Sequence, residues 1–257
     1  MNITRTSDKP VVVLVHGAFA ESSSWDGVIA ALLDDDFPVV AVANPLRGVR
    51  ADSEYLAGVL DGLPGDLVLV GHSYGGMLIA NAATGIDRVK ALVFVSAFAP
   101  EEGESAAELA GRYEGSTLGE TLEAVSLPDG GTDLYIAQDR YHGQFAADVP
   151  ADVAERMAVT QRPIAAAALT EASGTPAWRT LPSWFAFGTA DRNIPVDALR
   201  FMAERAGSQR TVELQDGSHA VAVTRPQAVA ALISEAGRVA ATRSDDPLDV
   251  ERAGARS

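Results

Sequence analysis

Four short runs, 11–15, 38–42, 67–70 and 91–95, are almost wholly apolar, and helical patterns at 24–33, 52–60 and 75–83 separate them. A strand that is apolar at every position has no wet face, so both of its faces must be covered. Strand and helix in strict alternation therefore predict a mostly parallel, doubly wound α/β sheet with right-handed crossovers. The rhythm stops near Pro100 and resumes with strand 184–187, helix 196–206, strand 210–214 and helix 226–239. Between them, 100–178 holds acidic and alanine-rich helical stretches, a Pro128-Asp129-Gly130-Gly131 turn and several aromatics, but no parallel-strand pattern. That stretch is expected to be a helical cap over the carboxyl edge of the strands, with 1–99 and 179–240 forming the core. Residues 241–257 are polar and aperiodic and read as a flexible tail.

Composition narrows the function. A chain of 257 residues can bury one substantial core. A formal charge of −15 argues against nucleic acid or an anionic membrane as partner. The absence of cysteine excludes disulfides, thiolate metal sites and a cysteine nucleophile. There is no early signal-type run and no stretch of the roughly 20 apolar residues that a membrane span requires. A cytoplasmic protein without cofactor fits, and a homodimer is left open. Asp34-Asp35-Asp36 reads as a solvated run, with no compact set of metal ligands around it.

The chemistry concentrates after the third apolar run, in Gly71-His72-Ser73-Tyr74-Gly75-Gly76. A G-x-S-x-G pentapeptide between strand and helix turns so sharply that it lifts the serine hydroxyl above the sheet edge. Serine needs a neighbouring base, and the chain holds four histidines. His72 lies inside the turn with its side chain expected to point away from the hydroxyl. His16 reads as structural, and His142 lies in the irregular insertion. His219, in a glycine-containing loop after the final strand, is the expected base. Its expected orienting acid is Asp191, one short loop beyond strand 184–187, where a turn or helix-capping aspartate is the competing reading. Glu101 and Glu102 are the rival acids, but they read as solvated helix-start residues. The order Ser73, Asp191, His219 is nucleophile, acid, base.

An oxyanion formed at such a serine needs pre-placed donors. The backbone N–H of Tyr74 is one, and that of Ala18 in His16-Gly17-Ala18-Phe19 is the choice for the second, with Phe19 as its rival. Phe19, Phe98, Tyr135, Tyr141, Phe145 and Trp178 are candidates to line a mouth over Ser73, with Tyr113 and Met157 nearby in the insertion. Such a lining would suit a small apolar or aromatic ester. The opposing reading is that cap aromatics hold the cap together, and Trp25 reads as core packing.

Taken together, Val13 through Phe19, Gly71 through Gly76, Gly188-Thr189-Ala190-Asp191 and Gly217-Ser218-His219-Ala220 resemble the α/β-hydrolase superfamily. The His16-Gly17-Ala18 opening with a following Trp25 is similar to its esterase and hydroxynitrile-lyase group, and the layout resembles small bacterial carboxylesterases. The resemblance implies an α/β-hydrolase fold with six to eight strands, because only about ten residues precede Val11 and the usual leading antiparallel strands are curtailed. It implies ester hydrolysis through an acyl-enzyme. The lyases carry a lysine after the base and a hydroxyl residue at the first-loop glycine, where this chain has Ala220 and Gly17. A lyase, or a binding protein that reuses the fold, stands as the alternative.

Overall fold

The computed structural model describes residues 8–244. Among the described residues nine strands follow in chain order: β1 Val11–Val15, β2 Val39–Val42, β3 Leu67–His72, β4 Val89–Val95, β5 Leu122–Ser126, β6 Thr132–Ile136, β7 Ile164–Ala165, β8 Ser183–Gly188 and β9 Arg210–Leu214. The helices are α1 Asp26–Asp34, α2 Val49–Asp61, α3 Gly75–Ala82, α4 Ala106–Ala110 and α5 Gln138–Phe145. They continue as α6 Ala151–Thr160, α7 Ala166–Thr170, α8 Val196–Arg205, α9 Val221–Thr224 and α10 Pro226–Ser244. Six strands form one sheet in the order β2-β1-β3-β4-β8-β9, and every pairing in it is parallel. From β1, one strand in from an edge, the chain steps out to that edge at β2, returns past β1 and winds to the other edge.

The all-apolar strands are covered on both sides, as their composition requires. Val11, Val13 and Val15 of β1 join one core layer with Leu56 of α2, Met77 of α3 and Leu199 of α8. Val12 and Leu14 turn to the other face, against Val28 and Leu32 of α1 and Val229 and Ile233 of α10. The same alternation divides Leu67 and Leu69 from Val68 and Val70 in β3. This is the period-two geometry of a strand seen from both faces.

The insertion corrects one expectation. It is not purely helical: β5, β6 and β7 form a separate antiparallel three-stranded sheet, with β5 and β6 joined across the Pro128–Gly131 turn. Four of the five residues of β5 are exposed, so it carries no buried apolar run to mark it as a strand. The expected tail also begins late, since α10 continues to Ser244; the rest of that segment lies outside the described residues. Among the described residues no helix is long and apolar enough to cross a membrane.

The insertion is fastened over the carboxyl ends of the strands. Arg162 accepts from the Phe19 N–H through its carbonyl at 2.9 Å, in the loop after β1. Gln144 of α5 donates to the Arg192 carbonyl and to Asn193 Oδ1, in the loop after β8. On the flank, the Glu171 carboxylate accepts the Val49 and Arg50 N–H groups at 2.7 and 3.1 Å, capping α2 where its dipole favours negative charge.

Candidate active site

Ser73 occupies the turn between β3 and α3 with φ of +53°, a left-handed backbone that a side chain adopts only at a cost. The turn is held by neighbours. Ser73 N–H donates to Val95 O at 3.3 Å, and Phe98 N–H and Gly76 N–H donate to the Ser73 carbonyl. Glycine is required around it because backbones meet there. A Cβ on Gly71 would lie 2.6 Å from the Gly75 carbonyl carbon, and one on Gly75 would enter the Val15 carbonyl oxygen. Gly17 faces the serine itself: its Cβ would come within 2.5 Å of Ser73 Cβ and 3.2 Å of Ser73 Oγ.

His219 and Asp191 meet from the loops after β9 and β8. The His219 Nδ1–H donates to Asp191 Oδ2 at 2.7 Å, and both side chains are buried. The other carboxylate oxygen accepts the N–H groups of Asn193 and Ile194 at 2.8 and 3.0 Å. Both oxygens are therefore satisfied, as a buried carboxylate demands. The two loops approach closely because both contain glycine. Ala190 N–H donates to the Gly217 carbonyl, and any Cβ on Gly188 would overlap that same carbonyl. The Nε2 atom of His219 is buried and has no hydrogen-bond partner among the described residues. The rival acids are engaged elsewhere, since Glu101 pairs with Arg179 at 2.7 Å and Glu102 with the same guanidinium at 3.6 Å.

The two loop donors separate cleanly. Phe19 N–H is consumed by Arg162 O, and Phe19 itself has φ of +59°. The N–H groups of Ala18 and Tyr74 have no acceptor among the described residues. The Tyr74 side chain points to a second buried acid, donating its hydroxyl to Asp52 Oδ2 at 3.2 Å. Burial pushes the Asp52 carboxyl up from its ordinary value.

The aromatic candidates divide by position. Phe145 packs edge-on against the His219 ring, with centroids 4.9 Å apart, and stacks on Tyr141 at 5.0 Å. Tyr141 is buried and donates its hydroxyl to the Phe19 carbonyl at 2.7 Å. Phe98 is buried beside the serine turn. Tyr135 lies half-buried on β6 opposite Glu123. Trp178 is committed elsewhere: its Nε1–H donates to the Pro100 carbonyl and its ring lies under the Arg205 guanidinium. Tyr113 sits against Phe201. A cavity of about 340 Å³ opens behind Tyr141, lined also by Ala20, Glu21, Met157, Gln161 and Val223, and Ser73 is not part of its wall.

Of the other histidines, His16 bonds Gly17 O and the Asn44 N–H, and His142 bonds Val149 O. His72 packs its ring against that of His219, with centroids 4.7 Å apart. No signal in the sequence marks that contact, since the two residues lie 147 positions apart.

Comparisons with known proteins identify the family. The profile of the "Alpha/beta hydrolase family" matches residues 12–232. Methylesterase 2 of Arabidopsis thaliana is 24% identical over 239 residues, covering 84% of this chain and 91% of the relative. The carbendazim hydrolyzing esterase of Nocardioides sp. (strain SG-4G) is 34% identical over 106 residues, or 36% of this chain and 44% of the relative. Among solved structures, polyneuridine aldehyde esterase superposes with a TM-score of 0.75 at 20% identity, covering 89% of this chain and 99% of that one. A parallel six-stranded sheet, a serine on a strained strand-to-helix turn and a profile spanning both lead to one conclusion: the chain belongs to the alpha/beta hydrolase family, and its sequence relatives there include esterases.

Proposed function

We propose that this protein is a serine esterase that cleaves small carboxylic esters through Ser73, His219 and Asp191. The observation that carries the reading is the buried His219–Asp191 contact at 2.7 Å, beside the elbow that carries Ser73. Asp191 holds His219 with its proton on Nδ1, so Nε2 is the free base. Nε2 takes the Ser73 proton as Oγ attacks the ester carbonyl, and Ala18 and Tyr74 N–H receive the oxyanion. The same proton then goes to the departing alkoxide, which leaves as the alcohol. Water, deprotonated by Nε2, cleaves the acyl-enzyme and restores Ser73.

Phe98, Phe145 and Phe19 supply an apolar surround, which suits an apolar or aromatic acyl group. The names of the relatives make simple methyl esters a first choice of substrate. The lyase alternative loses support at Gly17, where any side chain collides with Ser73, and at Ala220, which carries no cation.

The test is turnover of p-nitrophenyl butyrate by wild type and Ser73→Ala, with folding checked by circular dichroism. The variant should lose at least roughly a thousandfold in kcat, by analogy with loss of a triad nucleophile. A pre-steady-state burst of nitrophenolate in the wild type marks the acyl-enzyme. Retained turnover in a folded Ser73→Ala would overturn the reading.

A further inference from the structure

The proposed base does not stand alone in its pocket. His72 Nε2 lies 3.1 Å from the backbone carbonyl oxygen of His219. A carbonyl only accepts, so Nε2 carries the proton and Nδ1 is the bare nitrogen. That Nδ1 is buried with no partner among the described residues. The ring is boxed by aromatics, with Trp25 edge-on at 6.2 Å and Phe145 edge-on at 5.9 Å. The imidazole of His219 lies tilted over it, at 4.7 Å.

A bare buried nitrogen costs free energy, and a native structure that keeps one calls for an explanation. A phenyl ring would fill the same aromatic box without orphaning a nitrogen. What it could not supply is the Nε2–H donated to residue 219. We propose that His72 is a positioning residue, which pins the backbone of the His219 loop and backs the His219 ring so that its free nitrogen keeps one orientation. The inference rests on His219 being the base.

Burial supports the assignment, since it drives the His72 pKa well below the ordinary histidine value and keeps the ring neutral. A neutral neighbour adds no positive charge when the His219 imidazolium forms. His72 touches no reacting atom in this scheme, and its effect passes through residue 219.

Three measurements test it. In unmodified protein, side-chain nitrogen NMR should show His72 as the neutral Nε2–H tautomer; the Nδ1–H tautomer would overturn the proposal, because it cannot donate to that carbonyl. In His72→Phe, kcat on p-nitrophenyl butyrate should fall about tenfold or more with KM held within about twofold, as for a misplaced catalytic group. His72→Gln puts an amide N–H near the Nε2 position and should recover most of that loss. A purely packing role predicts the reverse ranking, with phenylalanine active and glutamine impaired. The low-field proton resonance of the His219–Asp191 bond should be sharp in wild type and His72→Gln and broadened in His72→Phe. If His72→Phe does not fold, the tautomer and a folded, active His72→Gln still decide the matter. A dead His219→Ala beside a fully active His72→Phe sinks this inference alone, whereas an active His219→Ala sinks the reading of the base.

Discussion

Mild acid should destabilise this protein through His16. The ring is fully buried, and both nitrogens are committed. Nδ1–H donates to Gly17 O at 2.9 Å, and Nε2 accepts the Asn44 N–H at 3.1 Å. A second proton has to go on Nε2, where it would displace Asn44. Burial lowers the His16 pKa from 6.5 to about 4, with Arg162 adding to the effect while the Gly17 hydrogen bond and Glu21 oppose it.

The unfolded chain, with the ordinary value, takes the proton first as pH falls. Stability is therefore complete above about pH 6.5, drains away as pH falls towards 4 and then levels off. At about 1.4 kcal/mol per pH unit, the full loss is about 3 kcal/mol, of which about 2 kcal/mol is gone by pH 5. That is a large share of the roughly 5–15 kcal/mol a domain possesses. His72, also lowered by burial, acts in the same direction.

The assay is urea unfolding at pH 7.5 and pH 5.0 for wild type and His16→Gln. The variant starts weaker, because it loses the Asn44 bond, but its drop between the two pH values should be smaller by about 2 kcal/mol. Comparing the two drops cancels other titrating groups such as Asp52, whose raised pKa works in the opposite sense. Equal drops in the two proteins would refute the argument.

Two further outcomes follow from the site. Gly75→Ala drives a methyl group into the Val15 carbonyl and should cost about 2 kcal/mol or more, seen as a lowered melting temperature; an unchanged melt would contradict the close approach. Asp191→Asn removes the charge that fixes the His219 tautomer and should lower kcat roughly 10³- to 10⁴-fold on p-nitrophenyl butyrate, while a loss below tenfold would assign Asp191 to loop structure alone.

Much of the site was legible because it is written locally. The turn at Ser73 needs an apolar strand before it and glycine around it, and those requirements are contiguous in 67–76. Asp191 and His219 were legible from chain order, Asp191 after the mostly apolar strand β8 and His219 after β9, whose polar and apolar residues are mixed as on an edge strand. Strand β5 was not, since its exposed residues carry no burial pattern and it exists only by pairing with β6. Trp178 shows the same limit: an aromatic in the insertion fits a pocket wall or a clamp, and its bond to the Pro100 carbonyl is visible only in the structure.

Sequence by itself determined the alternation, and with it the parallel sheet, the elbow and the edge at which loops converge. Hydrophobic period and glycine placement act within a few residues, so they can be read along the chain. Tertiary structure alone decided that Phe19 spends its N–H on Arg162, while the Ala18 N–H has no acceptor among the described residues, and that His72 lies against His219. Those outcomes depend on which distant groups reach bonding distance, and burial then makes each such contact obligatory because no water remains to replace it.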